Sequence, residues 1–547
     1  MRIIPTLLAA TAFAAAPATA DTLIANANGI QIDARGKVQH FTGLLIGNDG
    51  RVKHLLTKGA KAPKAATRLD LHGANLLPGL IDAHGHVMEL GLGLLELDVR
   101  GTNSITDMQA RLKAYAAANP GSGWITGFGW NQELWVEHRM PTRADLDAVV
   151  RDRPVWLVRV DGHAAVGNSA ALAAAGITDK TPDPAGGRIE QGLFTDNARD
   201  LVDAHIPAPS DARMDAGLAS AQAALLSVGL TGAADMGTSP DAWAAMRRAG
   251  DGGRLKLRIT SYASGMPTME KLLAQGPTPW LYGGRLRMGG VKFYADGALG
   301  SRGAWLKSPY SDRPDTTGLP LLDQATLDKQ VDAAARLGLQ VATHAIGDAA
   351  NAMVITAYEH ARAIFPGERR FRIEHVQVVD PADLPRIARA HIIASMQPTH
   401  QTSDMNMAES RLGAARLEGA YAWATIAQSG AHLAFGSDFP VEQPNPFPGL
   451  STAISRSDPT GNPPGGWRPQ EKVTFAQALA GFTREAAYAG FAERKVGSLD
   501  PGKYADFIIV DRDISKVDAV SLAATKVRET WVAGKRVWSS ADVPPVR

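Results

Sequence analysis

Six side chains that could hold a metal ion follow short apolar runs of the sequence, each at the carboxyl end of its run. Imidazole nitrogens and carboxylate oxygens are usual ligands of zinc and similar divalent ions. An ion held by such ligands can activate water and polarise a carbonyl group. The six residues are His84, His86, Lys292, His344, His375 and Asp438. Their types predict a metal site, most simply a hydrolytic one.

The apolar runs before these residues predict the elements that position them. LLPGLIDAHGH, MGGVK, GLQVATH, RFRIEH and HLAFGSD each have the composition of a buried parallel strand, and helical stretches separate the later ones. This alternation favours an α/β fold of the (β/α)8 TIM-barrel type. In such a barrel the carboxyl ends of the strands meet at one mouth, so the six side chains would converge there.

His84 and His86 form the strongest local pattern. Side chains two residues apart on a strand point the same way, so both imidazoles can reach one ion, and Gly85 leaves room between them. The same alternation applies to the run that ends at His375. Glu374, one residue earlier, is therefore expected to face away from the mouth, towards the helices.

Asp438 and Lys292 each allow two interpretations from the residues alone. Asp438 could bind metal and shuttle a proton, or it could cap a helix. Lys292 could bind an anionic substrate group or form a salt bridge. Alternatively, CO2 converts its amine to a carbamate that bridges two ions, a reaction that needs the neutral amine favoured by burial. From the residues alone, a role for Lys292 as a cation and a role as a carbamate that binds metal stay equally open.

The domain organisation follows from length and from the β-rich ends of the chain. With 547 residues the protein exceeds one usual domain. Alternating apolar and polar positions around turn signals predict a small β-sandwich built from residues 21–77 and 497–547, with the barrel in 78–496. The first two barrel strands are much further apart than one βα connection requires, so roughly 105–215 is predicted to be a packed insertion.

Residues 1–20 have the features of a signal peptide. A short positive start precedes an apolar run, and Ala-Thr-Ala at 18–20 fits the cleavage pattern before Asp21. The alternative is an N-terminal anchor helix, although the run is short for a membrane span and contains Pro5 and Pro17. We therefore expect an exported, periplasmic protein that leaves the membrane after cleavage.

The composition indicates which classes of binding partner to expect. The 57 basic and 55 acidic residues give a net charge of +2, which does not suggest nucleic acid or an anionic membrane surface. The chain has no cysteine, so disulfides and thiolate zinc sites are excluded. A small-molecule substrate is the expected partner, and an oligomer is compatible with the sequence.

Longer segments around these residues match a known family pattern. They are LLPGLIDAHGHV, WITGFGWNQ, VDGHAAVGNSAAL, GLTGAADMG, GGVKFYADGALGSRGAWL, VATHAIGDAAN, RIEHVQVV, ASMQPTH, FGSDFPVEQPNPF and VGSLDPGKYADFIIVD. Together they resemble the metal-dependent amidohydrolase superfamily, most closely the amidohydrolase-3 group that includes N-substituted formamide deformylases. The resemblance implies a barrel with a β-sandwich from both termini and one or two divalent ions, with zinc expected. It also implies Lys292 as a carbamate bridge and metal ligation by His84, His86, His344, His375 and Asp438.

Other residues of these segments are candidates for substrate contact. They are His163, Trp130, Arg302, Gln397 and His400. Each could equally stabilise a loop, and Trp130 could equally belong to a core. Because the insertion starts at the catalytic face, we expect it to form a wall or lid over the mouth.

The favoured function is hydrolysis of a carbon–nitrogen bond other than a peptide bond, in an amide, formamide or cyclic amide. The ions would polarise the carbonyl, and Asp438 would take a proton from the attacking water and pass it to the departing nitrogen. The alternative is a lactonase or esterase on the same site. A non-catalytic binding protein is a further alternative, against which the full ligand set argues.

Overall fold

The computed structural model describes residues 21–541 except 161, 163, 185 and 186. The predicted signal peptide at 1–20 lies outside the described residues. Within the described part of the chain, no helix combines the length and the apolar character needed to cross a membrane.

The N-terminal segment forms short strands that belong to two sheets. They are β1 (Thr22–Ala25), β2 (Asn28–Ile32), β3 (Val38–Phe41), β4 (Gly43–Ile46), β5 (Val52–Leu56), β6 (Thr67–Asp70) and β7 (Asn75–Pro78). Strands β5, β4, β1 and β6 form a four-stranded sheet in that order. Strands β7, β2 and β3 form half of a second sheet, which the C-terminal end of the chain completes.

The barrel begins with β8 (Leu80–Gly85) and α1 (Val87–Gly93), after which the chain leaves it to form the insertion. The elements of the insertion are β9 (Leu97–Asp98), α2 (Ile105–Ala118), β10 (Ile125–Trp130), α3 (Arg143–Asp147), β11 (Val155–Arg159), β12 (Ala164–Gly167), α4 (Ser169–Ala174), β13 (Gly187–Glu190), β14 (Leu193–Asp196) and α5 (Asp200–Asp203). Six strands in the described part of the insertion form one sheet with its own core, which includes Trp130 and Trp135. This sheet starts at Leu97, before the predicted 105.

The other seven barrel strands follow in chain order with their helices. The elements are α6 (Asp211–Ser227), β15 (Leu230–Thr238), α7 (Pro240–Asp251), β16 (Arg258–Ser264), α8 (Gly265–Leu272), β17 (Leu286–Tyr294), α9 (Gln324–Arg336), β18 (Gln340–Ala345), α10 (Asp348–Ile364), β19 (Arg372–His375), α11 (Leu384–Arg389), β20 (Ile393–Met396), α12 (Pro398–Leu412), α13 (Trp423–Gln428), β21 (Leu433–Phe435), α14 (Pro446–Ser455), α15 (Phe475–Gly481) and α16 (Arg484–Ala489). Neighbouring strands pair in parallel from β8 through β15 to β21. A parallel bridge between Gly85 of β8 and Phe439, which follows β21, closes the barrel.

The C-terminal end returns to the N-terminal strands. Its elements are β22 (Phe507–Val510), α17 (Ala519–Ala523), β23 (Val527–Val532) and β24 (Lys535–Ser539). The second sheet has the order β24-β23-β22-β7-β2-β3, with Leu77 opposite Ile508. The two sheets share a core in which the rings of Phe507 and Trp531 stack 5.1 Å apart. The predicted fold class, a (β/α)8 barrel with a sandwich domain from both termini, is confirmed.

Candidate metal centre

The first barrel strand brings two imidazoles to the barrel mouth. His84 and His86 lie at the end of β8, and their ring centroids are 5.5 Å apart. Both face Asp438, whose Oδ1 is 3.0 Å from His86 Nε2 and 3.4 Å from His84 Nε2. Gly85 is required between them, because a Cβ there would come within 2.3 Å of the Phe439 ring. The structure thus brings both histidines to one carboxylate.

Three further strand ends bring the remaining predicted residues to the same place. The Nζ of Lys292, on β17, lies 3.4 Å from His84 Nε2. The ring centroid of His375 is 4.7 Å from that of His84 and 4.6 Å from that of His344. His84, Lys292 and His375 are buried. All six residues therefore form one cluster at the mouth.

Glu374 lies inside the barrel, so the expectation that it faces the helices is wrong. It is fully buried, its Oε2 is 2.6 Å from His84 Nδ1, and it forms an ion pair with Arg372. The reason is local. His375 has a φ of +78° and Val376 a φ of +48°, so the regular alternation of a strand ends here and both Glu374 and His375 face the interior.

This buried ion pair fixes the orientation of His84. Arg372 donates to the Ala83 carbonyl at 2.6 Å and to Ser395 Oγ at 2.7 Å, so its guanidinium cannot move away from Glu374. Because the Glu374 carboxylate accepts the hydrogen on His84 Nδ1, the lone pair on Nε2 faces the centre. A ligating histidine commonly has such an outer partner.

The backbone of Asp438 has a conformation that residues other than glycine rarely adopt. Its φ is +61°, and its N–H donates to the His84 carbonyl at 2.7 Å. Position 436 requires glycine, because a Cβ there would lie 2.5 Å from Asp82 Oδ1. Asp82 accepts hydrogen bonds from the backbone N–H groups of His84 and Ser437, and burial raises the pKa of Asp82 to about 7. Such strained positions persist where the surroundings over-determine them, often at functional sites.

The protonation states favour binding of a cation. Burial lowers the pKa values of the His84 and His375 imidazoles, which keeps both rings neutral. Burial also lowers the pKa of the Lys292 amine to about 8. Burial raises the pKa of the Asp438 carboxyl, but its contacts with the surrounding histidines, including the hydrogen bond from His86 Nε2, lower it more, so the group stays ionised. Neutral imidazoles and an ionised carboxylate are the forms that bind metal.

These donors fit a divalent cation. Ligand atoms of His84, His86 and Asp438 all lie within 4.8 Å of one another. The Nε2 atom of His344 is buried and has no hydrogen-bond partner among the described residues. It lies 3.4 Å from Asp296 Oδ1 without forming a hydrogen bond, and a bound cation would satisfy its lone pair. The residues present therefore match the chemistry of a metal centre built from nitrogen and oxygen ligands.

Of the predicted substrate contacts, Gln397 and His400 lie at this centre. Gln397 Oε1 is 2.9 Å from His375 Nδ1, and the His400 ring stacks on the His375 ring at 5.8 Å. Trp130 is fully buried in the insertion, where its indole N–H donates to the Leu157 carbonyl at 2.8 Å. Trp130 therefore belongs to the core of the insertion, which is one of the two roles that its sequence allowed.

The other two predicted substrate contacts are Arg302 and His163. Arg302 forms an ion pair with Asp312 at 2.8 Å, and Asp312 also binds Arg411 of α12. Arg302 thus ties the loop after β17 to α12, and its contact with substrate stays a prediction. His163 lies outside the described residues.

Tyr294 is a residue at the mouth that the sequence reasoning missed. Its ring centroid lies 4.8 Å from Lys292 Nζ and 5.6 Å from the His344 ring, and the side chain is partly exposed. It follows Lys292 by two residues on β17, so the alternation of a strand was the signal that could have found it.

The geometry agrees with comparisons to known proteins. A family model described as the amidohydrolase family matches residues 68–538. The chain is 35% identical over 496 residues to protein LONG AFTER FAR-RED 3 of Arabidopsis thaliana, covering 86% of this chain and 83% of that protein. It is 26% identical over 551 residues to N-substituted formamide deformylase of Arthrobacter pascens, covering 94% and 97%.

A solved structure is also similar along most of its length. The crystal structure of an uncharacterized metal-dependent hydrolase from Pyrococcus horikoshii OT3 superimposes with a TM-score of 0.77 at 28% identity. The match covers 91% of this chain and 99% of that one. The chain belongs to the amidohydrolase family, as its motifs predict, and it is a metal-dependent hydrolase.

Proposed function

We propose that this protein hydrolyses carbon–nitrogen bonds other than peptide bonds, in amides, formamides or cyclic amides. The observation that carries the proposal is the position of Asp438, an ionised carboxylate in contact with both histidines of the first strand. The similarity to N-substituted formamide deformylase of Arthrobacter pascens supports the same bond type.

Five side chains would hold one or two divalent ions, with zinc expected: His84, His86, His344, His375 and Asp438. When bound, such an ion lowers the pKa of water and polarises a carbonyl. Lys292 would bridge two ions as a carbamate, formed when its amine nitrogen bonds to the carbon of CO2 and releases a proton. The lowered pKa of Lys292 supports this, because only the neutral amine reacts.

Residues of the chain transfer the proton and hold the ligand histidines in place. Asp438 accepts the proton of the attacking water and donates it to the departing nitrogen, which otherwise leaves as an unstable anion. Glu374 and Gln397 keep His84 and His375 in fixed orientations through their Nδ1 atoms. The buried position of the cluster excludes bulk water and strengthens each of these polar interactions.

A cleft whose lining includes Pro440, two residues after Asp438, would take an apolar part of the substrate. Its volume is about 520 Å³, and it lies between the insertion and the loop after β21. Leu94 and Val441 line it on the barrel side, in segments that follow His86 and Asp438 along the chain, and Phe128 lines it from the insertion. All three side chains are substantially exposed, as expected of a surface that an apolar group covers.

A substrate screen tests the proposed function. The protein reconstituted with zinc is offered N-formyl amines with small and aromatic substituents, N-acyl amino acids, hydantoins and lactones. We expect turnover of at least one carbon–nitrogen substrate, and turnover about 10²–10⁴-fold lower by Asp438→Asn at the same metal content. Hydrolysis of lactones alone would identify an esterase instead, and no turnover of any compound would refute the proposal.

A second pair of measurements tests the cleft. Phe128→Ala should raise KM for N-formyl amines with aromatic substituents and leave KM for small ones unchanged. Equal effects on both would show that the cleft does not select the substituent.

We also propose export to the periplasm. The features of residues 1–20 support it, although these residues lie outside the described part of the chain. N-terminal sequencing of protein from the periplasmic fraction should begin at Asp21. Recovery of uncleaved protein in the membrane fraction would support the anchor-helix alternative.

A further inference from the structure

His400 lies beside the predicted metal ligands, and one of its ring nitrogens lies within 4.8 Å of ligand atoms of His375 and Asp438. It is in the first turn of α12 and is nearly buried, with its ring stacked on that of His375. Its Nε2 is 3.6 Å from Asp438 Oδ2 and has no hydrogen-bond partner among the described residues. This nitrogen therefore lies next to the proposed catalytic carboxylate with its hydrogen-bonding capacity unused.

Two of the predicted ligand histidines share one hydrogen-bonding pattern. Nδ1 of His84 faces a carboxylate oxygen of Glu374, and Nδ1 of His375 faces the amide oxygen of Gln397. Both partners are acceptors, so the ring hydrogen lies on Nδ1. The Nε2 atoms then carry lone pairs that point into the centre, which a metal ligand needs.

His400 shows the opposite pattern. Its Nδ1 is 3.2 Å from the amide nitrogen of Gln377, which can only donate. The Nδ1 atom must therefore accept, and in the neutral ring the hydrogen lies on Nε2. A histidine in this tautomer presents an N–H group to the centre instead of a lone pair, so it is suited to bind an oxygen and not a cation.

The residues behind Gln377 support this orientation of its amide. The hydroxyl of Tyr421 is the donor in both of its contacts, with Gln377 Oε1 at 3.4 Å and with Asp404 Oδ2. The Tyr421 hydroxyl therefore presents a donor to Gln377 Oε1, and the Gln377 amide nitrogen presents a donor to His400 Nδ1.

The geometry points to His400 as a catalytic residue whose Nε2–H binds the substrate carbonyl oxygen, with Gln377 as the positioning residue that selects its tautomer. This inference rests on the proposed hydrolysis. As water adds to the carbonyl carbon, the carbon–oxygen double bond becomes a single bond and negative charge collects on the oxygen. The hydrogen bond from His400 strengthens at that moment, and the imidazole keeps its proton throughout. One preorganised donor of this kind is worth about 10²–10³ in kcat.

Kinetics and metal content of four variants test the inference. His400→Ala should lower kcat by about 10²–10³-fold with little change in KM and with the metal content of the parent. His400→Gln should recover part of the loss, because a side-chain amide can still donate. Gln377→Glu, which keeps the shape but replaces the donor with an acceptor, should lower kcat as strongly as His400→Ala. His375→Ala is the matched control and should lose metal.

A spectroscopic measurement separates this inference from the proposed function. In protein labelled with ¹⁵N-histidine, the signals missing from His400→Gln belong to His400 and should show a protonated Nε2 and an unprotonated Nδ1. If the parent turns over no substrate, the proposed function fails while this spectrum still decides the tautomer. A protonated Nδ1 on His400 would overturn the inference. So would loss of metal from His400→Ala, which would make His400 a ligand, or an unchanged kcat in that variant.

Discussion

Glu374→Gln should weaken the metal centre although it changes no metal ligand. Glu374 is fully buried between His84, 2.6 Å from its Nδ1, and Arg372, whose guanidinium donates to its Oε2 at 3.0 Å. Glutamine keeps the shape but removes the charge and turns one acceptor oxygen into a donor. Removing one partner of a buried ion pair costs about 3–5 kcal/mol. Losing the oriented partner of a ligating histidine lowers metal affinity by about 10–100-fold.

The pH dependence of this effect follows from the pKa of Glu374. Burial raises that pKa, but Arg372 and His84 lower it more, so it lies well below its ordinary value. The stabilisation is therefore fully present above the pKa of a glutamate in the unfolded chain, about 4.3, and is lost as the pH falls below it. The difference in unfolding free energy between parent and variant should thus be constant from about pH 6 to 8.

Glu359→Gln is the matched control, because Glu359 forms an ion pair with Arg386 on the protein surface. Such pairs contribute about 0–1 kcal/mol. Chelator competition measures metal affinity, and urea unfolding of the metal-free protein measures stability. If Glu374→Gln binds metal within twofold of the parent and loses no more stability than Glu359→Gln, then the buried pair does not support the centre.

Three further predictions concern other parts of the molecule. Asp438→Asn should lower kcat by about 10²–10⁴-fold with the fold intact, and a loss below tenfold with metal retained would contradict a proton shuttle. Because burial lowers the pKa of Lys292 to about 8, its neutral form increases with pH. Reconstitution with metal and bicarbonate should therefore be more complete at about pH 8.5 than at about pH 6.5, and Lys292→Ala should lack this difference. Trp130→Ala should destabilise the insertion by about 3–5 kcal/mol in urea unfolding, and reduced turnover at unchanged stability would argue for a pocket role instead.

The barrel and the six polar residues at its strand ends could be predicted because each depends on a local pattern. An apolar run followed by a single polar residue marks the end of a buried parallel strand, and the barrel topology brings those ends together. The direction of Glu374 could not be predicted in this way. It depends on the positive φ of His375 and Val376, and no residue pattern in RIEHVQVV indicates that departure from a regular strand.

The position of Trp130 was ambiguous for a similar reason. Phe128 and Trp130 are two residues apart, so a regular strand would place them on the same face. The pairing of β10 with β11 is irregular between them, and Gly129 has a φ of +107°. This bulge directs Trp130 into the core and leaves Phe128 at the cleft. The glycines of GFGWNQ indicate that the backbone can depart from a regular strand here. They do not indicate which of the two side chains then faces the core.

The sheet that joins both ends of the chain sets an order for folding during synthesis. β7 pairs with β22, with Leu77 opposite Ile508, so the ribosome completes the whole barrel before β7 gains this neighbour. Until then one edge of β7 has unpaired backbone groups, which favour pairing with the wrong strand. The barrel strands pair with their neighbours in chain order and can close earlier. We therefore expect a chain that stops before Phe507 to aggregate through this open edge, although it contains every residue of the metal centre.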